Sequence, residues 1–150
     1  MIKEVKIGKS EICENVLTGL PRWFGIESAR NEYIRAVESL PMFTAEFGGQ
    51  VVGFLSLEFH NEFTAEVHVM AVLEEHHGQG HGHALLEAAK NYALSRGAEY
   101  LMVKTLGPSR PNAEYDLTRR FYERAGFRPL QEIPAIWGKE NPCLLMVQHL

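Results

Sequence analysis

The chain has 150 residues, 45% of them hydrophobic and 23% charged, with a formal net charge of -4 and a pI near 6.0. At that length folding buries roughly two thirds of the unfolded surface, so one core suffices without staples and a single domain over 1–150 is expected. No apolar run approaches the roughly 20 residues of a membrane span, and the acidic balance offers no basic surface for general nucleic-acid binding.

The charged N-terminus MIKEVKIGKSE lacks the apolar stretch of a secretory signal, and the expected location is cytoplasmic. Cys13 and Cys143 are the two cysteines; they fall in a helix and a strand and read as small buried hydrophobes rather than as a disulfide or metal framework. Acidic side chains concentrate in residues 51–100, which hold seven against two basic ones. That bias suits a cationic acceptor or a solvated face.

In chain order, a short strand near Val5–Ile7 precedes helical stretches at Ile12–Leu20 and Glu27–Leu40, punctuated by Pro21 and Pro41. Met42–Phe47 and Val51–His60, joined by Gly48-Gly49, read as a hairpin, and Thr64–Val72 extends the meander. From Gly80 the period becomes helical, with Leu85, Leu86, Ala89, Tyr92 and Ala93 on one side until Arg96-Gly97. Strand Tyr100–Leu106, a polar loop from Gly107 to Asn112, helix Tyr115–Ala125 and strands Phe127–Ile133 and Cys143–Leu150 follow. In the late helix Leu117, Phe121 and Ala125 fall at i, i+4 and i+8, a predicted buried stripe. The expected class is α/β, or α+β with a mixed sheet, with helices on both faces of a central sheet.

The most informative segment is Glu75-His76-His77-Gly78-Gln79-Gly80-His81-Gly82-His83-Ala84, between a strand and an amphipathic helix. Glycine lets backbone approach a ligand, and the first-turn N–H groups with the helix dipole favour an anion such as a pyrophosphate. The string is neither the dinucleotide fingerprint nor a P-loop.

The frame His77-x-x-Gly80-x-Gly82 resembles the Arg/Gln-x-x-Gly-x-Gly/Ala motif of the GNAT N-acetyltransferase superfamily. Ala65-Glu66-Val67-His68-Val69-Met70-Ala71-Val72 is similar to that family's splayed strand, and Phe121-Tyr122-Glu123-Arg124-Ala125-Gly126-Phe127 to its late tyrosine-bearing helix and turn. The resemblance covers most of the chain from Met42 onward. It implies a GNAT-like acyl-CoA N-acyltransferase fold, with acetyl-CoA as co-substrate and no metal required. The cofactor would lie along Met70, Ala71 and Val72 and on His77, Gly78, Gln79, Gly80, Gly82 and His83. Two departures stand out: His77 replaces Arg or Gln, and the family's Asn, seven residues before the helix tyrosine, is Tyr115 here, with Asn112 three positions earlier.

Acetylating an amine requires removal of an ammonium proton. Glu66 is the first candidate base and His68 the second; on a strand they share one face with Met70 and Val72. A backbone N–H near Met70–Val72 is placed to stabilise the oxyanion, and the resemblance gives Tyr122 the role of acid toward the CoA thiolate. The expected acceptor is a primary amine of a small molecule or peptide, attacking directly in a ternary complex. Trp23, Phe24, Tyr33 and Trp137 are candidate pocket walls, while Glu58 and Glu62 suit a cation. Paired sheet edges would allow a homodimer. Two other classes compete: a catalytically silent acetyl-CoA sensor, and a metal-binding protein using His76, His77, His81 and His83.

Overall fold

The computed structural model describes residues 1–150. The chain runs β1 (Ile2–Val5), α1 (Lys9–Thr18), α2 (Glu27–Ala36), a 3-10 turn (Val37–Ser39), β2 (Met42–Phe47), β3 (Gln50–Phe59), β4 (Thr64–Val72) and a second 3-10 turn (Glu74–His76). It continues α3 (His81–Ser95), β5 (Tyr100–Leu106), α4 (Ala113–Arg124), β6 (Arg128–Ile133), α5 (Pro134–Trp137) and β7 (Cys143–His149). The strands form one seven-stranded sheet in the order β1-β2-β3-β4-β5-β7-β6. Helix α3 lies between β4 and β5 in the chain. The expected mixed α/β class is therefore observed. No helix is long and apolar enough to cross a membrane.

Two compact units emerge, Met1–Glu58 with Val67–Tyr92, and Phe59–Glu66 with Ala93–Leu150. In the first, β1 pairs antiparallel with β2 and β2 with β3. The turn between β2 and β3 places Gly48 at φ 59° and Gly49 at φ 78°, the two left-handed residues that match a tight turn to strand twist. Cys13, Val16, Leu17, Leu20, Val37, Met42, Phe54, Val69 and Ala71 form the buried cluster of this unit. Each fully buried large side chain there contributes about 1.5–3 kcal/mol. Gly53 of β3 sits tightly against the end of β4: an added Cβ would meet Ala71 O at 2.9 Å and Val72 Cγ2 at 3.0 Å.

In the second unit β7 pairs antiparallel with β5 and with β6. The register shifts between Pro129 and Gln131 of β6, because proline has no N–H for the ladder and tolerates only an edge or a bulge. Leu101, Val103, Leu106, Tyr122, Phe127, Cys143 and Met146 are buried. Arg119, also buried, donates to Leu106 O at 2.5 Å and pairs with Asp116.

Several sequence-based boundaries are corrected. Strand β1 begins at Ile2, and Ile7 is exposed. Helix α1 begins at Lys9 and ends at Thr18, while α2 stops at Ala36 and tightens into the 3-10 turn. The predicted stripe on α4 is also corrected. Leu117 is 62% exposed, and the buried face carries Arg119 and Tyr122; apolar spacing alone did not anticipate a guanidinium facing inward to a strand carbonyl. The short helix α5 was not anticipated.

Candidate active site

The junction between β4 and α3 lies in the first unit. After β4 and the 3-10 turn, the chain passes through Gly78 at φ 73° and Gly80 at φ 88°. An added Cβ at either glycine would meet nothing within 4 Å. Backbone conformation, not crowding, demands glycine there, and the space over the loop is open for a ligand. Gly80 O accepts the first helical bond of α3 from Ala84 N at 3.0 Å. The first-turn amides at 81–83 therefore point out of the helix end, an anion-binding arrangement. Gly82 lies inside that first turn, in α3.

His77 Nε2 lies 2.6 Å from Val72 O and its ring meets Trp23 edge-on at 5.5 Å. The imidazole thus ties the loop to the end of β4. Gln79 donates to Glu75 O at 3.4 Å, and its Oε1 lies 3.4 Å from His76 Nδ1. His76 meets Phe47 at a tilt and His81 meets it edge-on, while His83 is exposed. On β4, Met70 and Val72 are half-buried and Ala71 is buried. Leu73 N donates to Val52 O at 2.8 Å, fixing the strand end against β3.

The same unit holds a pair that sequence reasoning did not connect. His68 Nδ1 lies 3.1 Å from Glu58 Oε2, and Tyr33 of α2 meets the imidazole edge-on at 5.6 Å. His68 Nε2 is buried without a hydrogen-bond partner. Phe24 meets Tyr33 at 6.1 Å, so of the expected pocket aromatics Tyr33 adjoins His68 and Phe24 stands behind it. Both also pack on the core of the unit, as does Trp23.

Glu66 belongs to the second unit and is 3% exposed. Its Oε1 lies 2.5 Å from His60 Nε2 and 3.2 Å from Lys104 Nζ of β5. The turn before it is closed by Asn61, whose Oδ1 accepts from Phe63 N at 2.8 Å and Thr64 N at 3.0 Å. Burial pushes the nearby Cys143 thiol up to about 11, with the Lys104 cation opposing and the Glu66 charge adding. Cys143 therefore stays a protonated, unreactive thiol at neutral pH.

Tyr122 is buried, its ring 5.6 Å from Phe121 and 5.5 Å from Phe127. Asn112 caps α4, its side chain accepting from Tyr115 N at 3.1 Å. Trp137, at the end of α5, is 40% exposed.

Comparison with known proteins places this arrangement. The family model described as Acetyltransferase (GNAT) family matches residues 13–127. An uncharacterized N-acetyltransferase of Chlorobaculum tepidum is 28% identical over 103 residues, covering 65% of this chain and 59% of that protein. One of Methanocaldococcus jannaschii is 28% identical over 109 residues, covering 71% and 64%. The chain thus spans less than two thirds of the length of these relatives. Among solved structures, an aminoglycoside 6'-N-acetyltransferase complexed with coenzyme A superposes with a TM-score of 0.78 at 16% identity, over 99% of this chain and 96% of that one. A GNAT family acetyltransferase from Elizabethkingia anophelis with acetyl-CoA bound gives 0.74 at 18%, over 100% and 97%. At such identities the likeness speaks for the fold. The family match, by contrast, spans the strand, loop and helix start described above as well as Tyr122, and on that ground this chain belongs to the acetyltransferase (GNAT) family.

Proposed function

We propose that the chain transfers the acetyl group of acetyl-CoA to a primary amine of a small molecule or peptide, by direct attack in a ternary complex. The observation that carries this reading is the left-handed pair Gly78 and Gly80 leading into the first turn of α3, inside the segment that matches the family. An open loop rimmed by helix-start amides suits a pyrophosphate. His77, Gly78, Gln79, Gly80, Gly82 and His83 would hold that part of acetyl-CoA, and Met70, Ala71 and Val72 would run beside its acyl arm.

Backbone N–H groups on β4 near Met70–Val72 would meet the oxyanion that develops as the amine attacks, an interaction worth about 3–4 kcal/mol in comparable sites. Tyr122 would protonate the leaving sulfur. The ammonium proton must first reach a base, and β4 offers two, Glu66 and His68, in different surroundings. The solved relative with coenzyme A acts on aminoglycosides by its name; a polycationic acceptor is consistent here with the acidic bias of residues 51–100.

Calorimetric titration of acetyl-CoA tests the reading. Wild type should bind, and a Gly80→Glu, Gly82→Glu double variant with an unchanged circular dichroism spectrum should not. Turnover is then measured with kanamycin, spermidine and a lysine peptide. Binding with no acetylation of any amine would indicate a sensor, and no binding would refute the assignment.

A further inference from the structure

Resting on the proposed amine acetylation, we infer that Glu58 and His68 form the proton-accepting pair, with His68 Nε2 as the base, Glu58 as its positioning residue and Glu66 as a structural carboxylate. Three observations lead there. First, a carboxylate only accepts hydrogen bonds, so the 3.1 Å contact with Glu58 Oε2 places the proton of a neutral His68 on Nδ1. That leaves a bare lone pair on Nε2.

Second, Nε2 is buried and has no partner. Such a group is a standing defect unless something supplies a donor, and an amine or an amine-bound water supplies one. The half-buried Tyr33 ring meets the imidazole edge-on at 5.6 Å. The His68 side chain keeps 23% of its surface exposed, so the imidazole lies within an acceptor's reach. From packed elements of this unit the Glu58 carboxylate on β3 and the Tyr33 ring on α2 face His68.

Third, Glu66 is differently employed. Its Oε1 faces both His60 and Lys104 while the residue is 3% exposed. Protonating Glu66 in each cycle would remove the charge that the Lys104 ammonium faces and that the His60 ring contacts.

The proton balance closes. One ammonium proton passes to Nε2, giving an imidazolium whose Nδ1–H donates to Glu58. The neutral nitrogen forms the C–N bond as the C–S bond breaks, and the second proton it sheds ends on the CoA sulfur. His68 returns its proton to solvent after the amide leaves.

The test has two arms on the full chain. Nitrogen-15 NMR of the imidazoles, assigned by comparison with His68→Asn, should show His68 as the Nδ1–H tautomer. An Nε2–H tautomer would overturn the inference even if acetyl-CoA binds. In the second arm kcat/KM is followed against pH with the fastest of the three amines above. His68→Asn should lower it at least 100-fold at pH 7 and erase its rising limb, with acetyl-CoA binding unchanged. Glu58→Gln should retain that limb but move it to lower pH, since loss of the facing carboxylate disfavours the imidazolium. A limb lost in Glu66→Gln but kept in His68→Asn would assign the base to Glu66 and leave the proposed activity intact. Failure of wild type to bind acetyl-CoA would instead remove the reading on which the inference stands.

Discussion

Lys104 Nζ of β5 lies 3.2 Å from Glu66 Oε1, and the carboxylate it faces is almost completely buried. A buried charge that loses a partner keeps its desolvation cost. Lys104 itself is partly exposed, with 31% of its side chain open, which moderates the loss. Lys104→Met should therefore destabilise the fold by about 1–3 kcal/mol, read as a lower urea midpoint at unchanged slope. Stability equal to wild type would show that His60 alone satisfies Glu66.

Gly80 has φ 88° and space around a prospective Cβ, whereas Gly53 faces Ala71 O with a prospective Cβ at 2.9 Å. Gly80→Ala should cost about 1–2 kcal/mol through backbone strain, and it should weaken acetyl-CoA binding by rotating the loop amides. Gly53→Ala should cost about 1–3 kcal/mol through overpacking of β3 on β4. Denaturant melts give the two stabilities and calorimetry separates the loop effect.

Burial raises the Cys13 thiol from its ordinary 9.0 to about 12, with Glu14 adding, and raises Cys143 from 9.0 to about 11. In both cases the folded chain keeps a proton that the unfolded chain releases. The associated stability is complete below about pH 9 and declines as pH rises from 9 toward 11 and 12. Denaturation melts between pH 8 and 10.5 should show that decline. It should be shallower in the Cys13→Ala, Cys143→Ala variant, and a slope identical to wild type would disprove the assignment to the thiols.

Asn112 Oδ1 accepts from Tyr115 N at 3.1 Å at the start of α4. As a helix cap, it should contribute about 1 kcal/mol. Asn112→Ala should lower stability by that amount and leave the acetyl-CoA dissociation constant unchanged, while Asn112→Asp should retain the stability. A weakened cofactor affinity in a fully stable Asn112→Ala would instead give the residue a binding role.

The period changes along the sequence already disclosed the hairpin at Gly48-Gly49, the helix carrying Leu85, Leu86 and Ala89, and the glycine-rich junction. These features are local: two adjacent glycines permit a tight left-handed turn, and apolar residues at helical spacing must share a face. The resemblance around Gly80, Glu66 and Tyr122 also needed only contiguous residues. What the sequence could not fix were relations across strands and between elements. Glu58 and His68 are ten positions apart and meet only through the side-chain geometry of the folded β3 and β4, while Glu66 and Lys104 are 38 apart. The buried face of α4 turned on whether a carbonyl of β5 stood ready for Arg119. Element type thus follows from neighbours along the chain, but a side chain's partner, and with it its chemical role, is decided by register and burial.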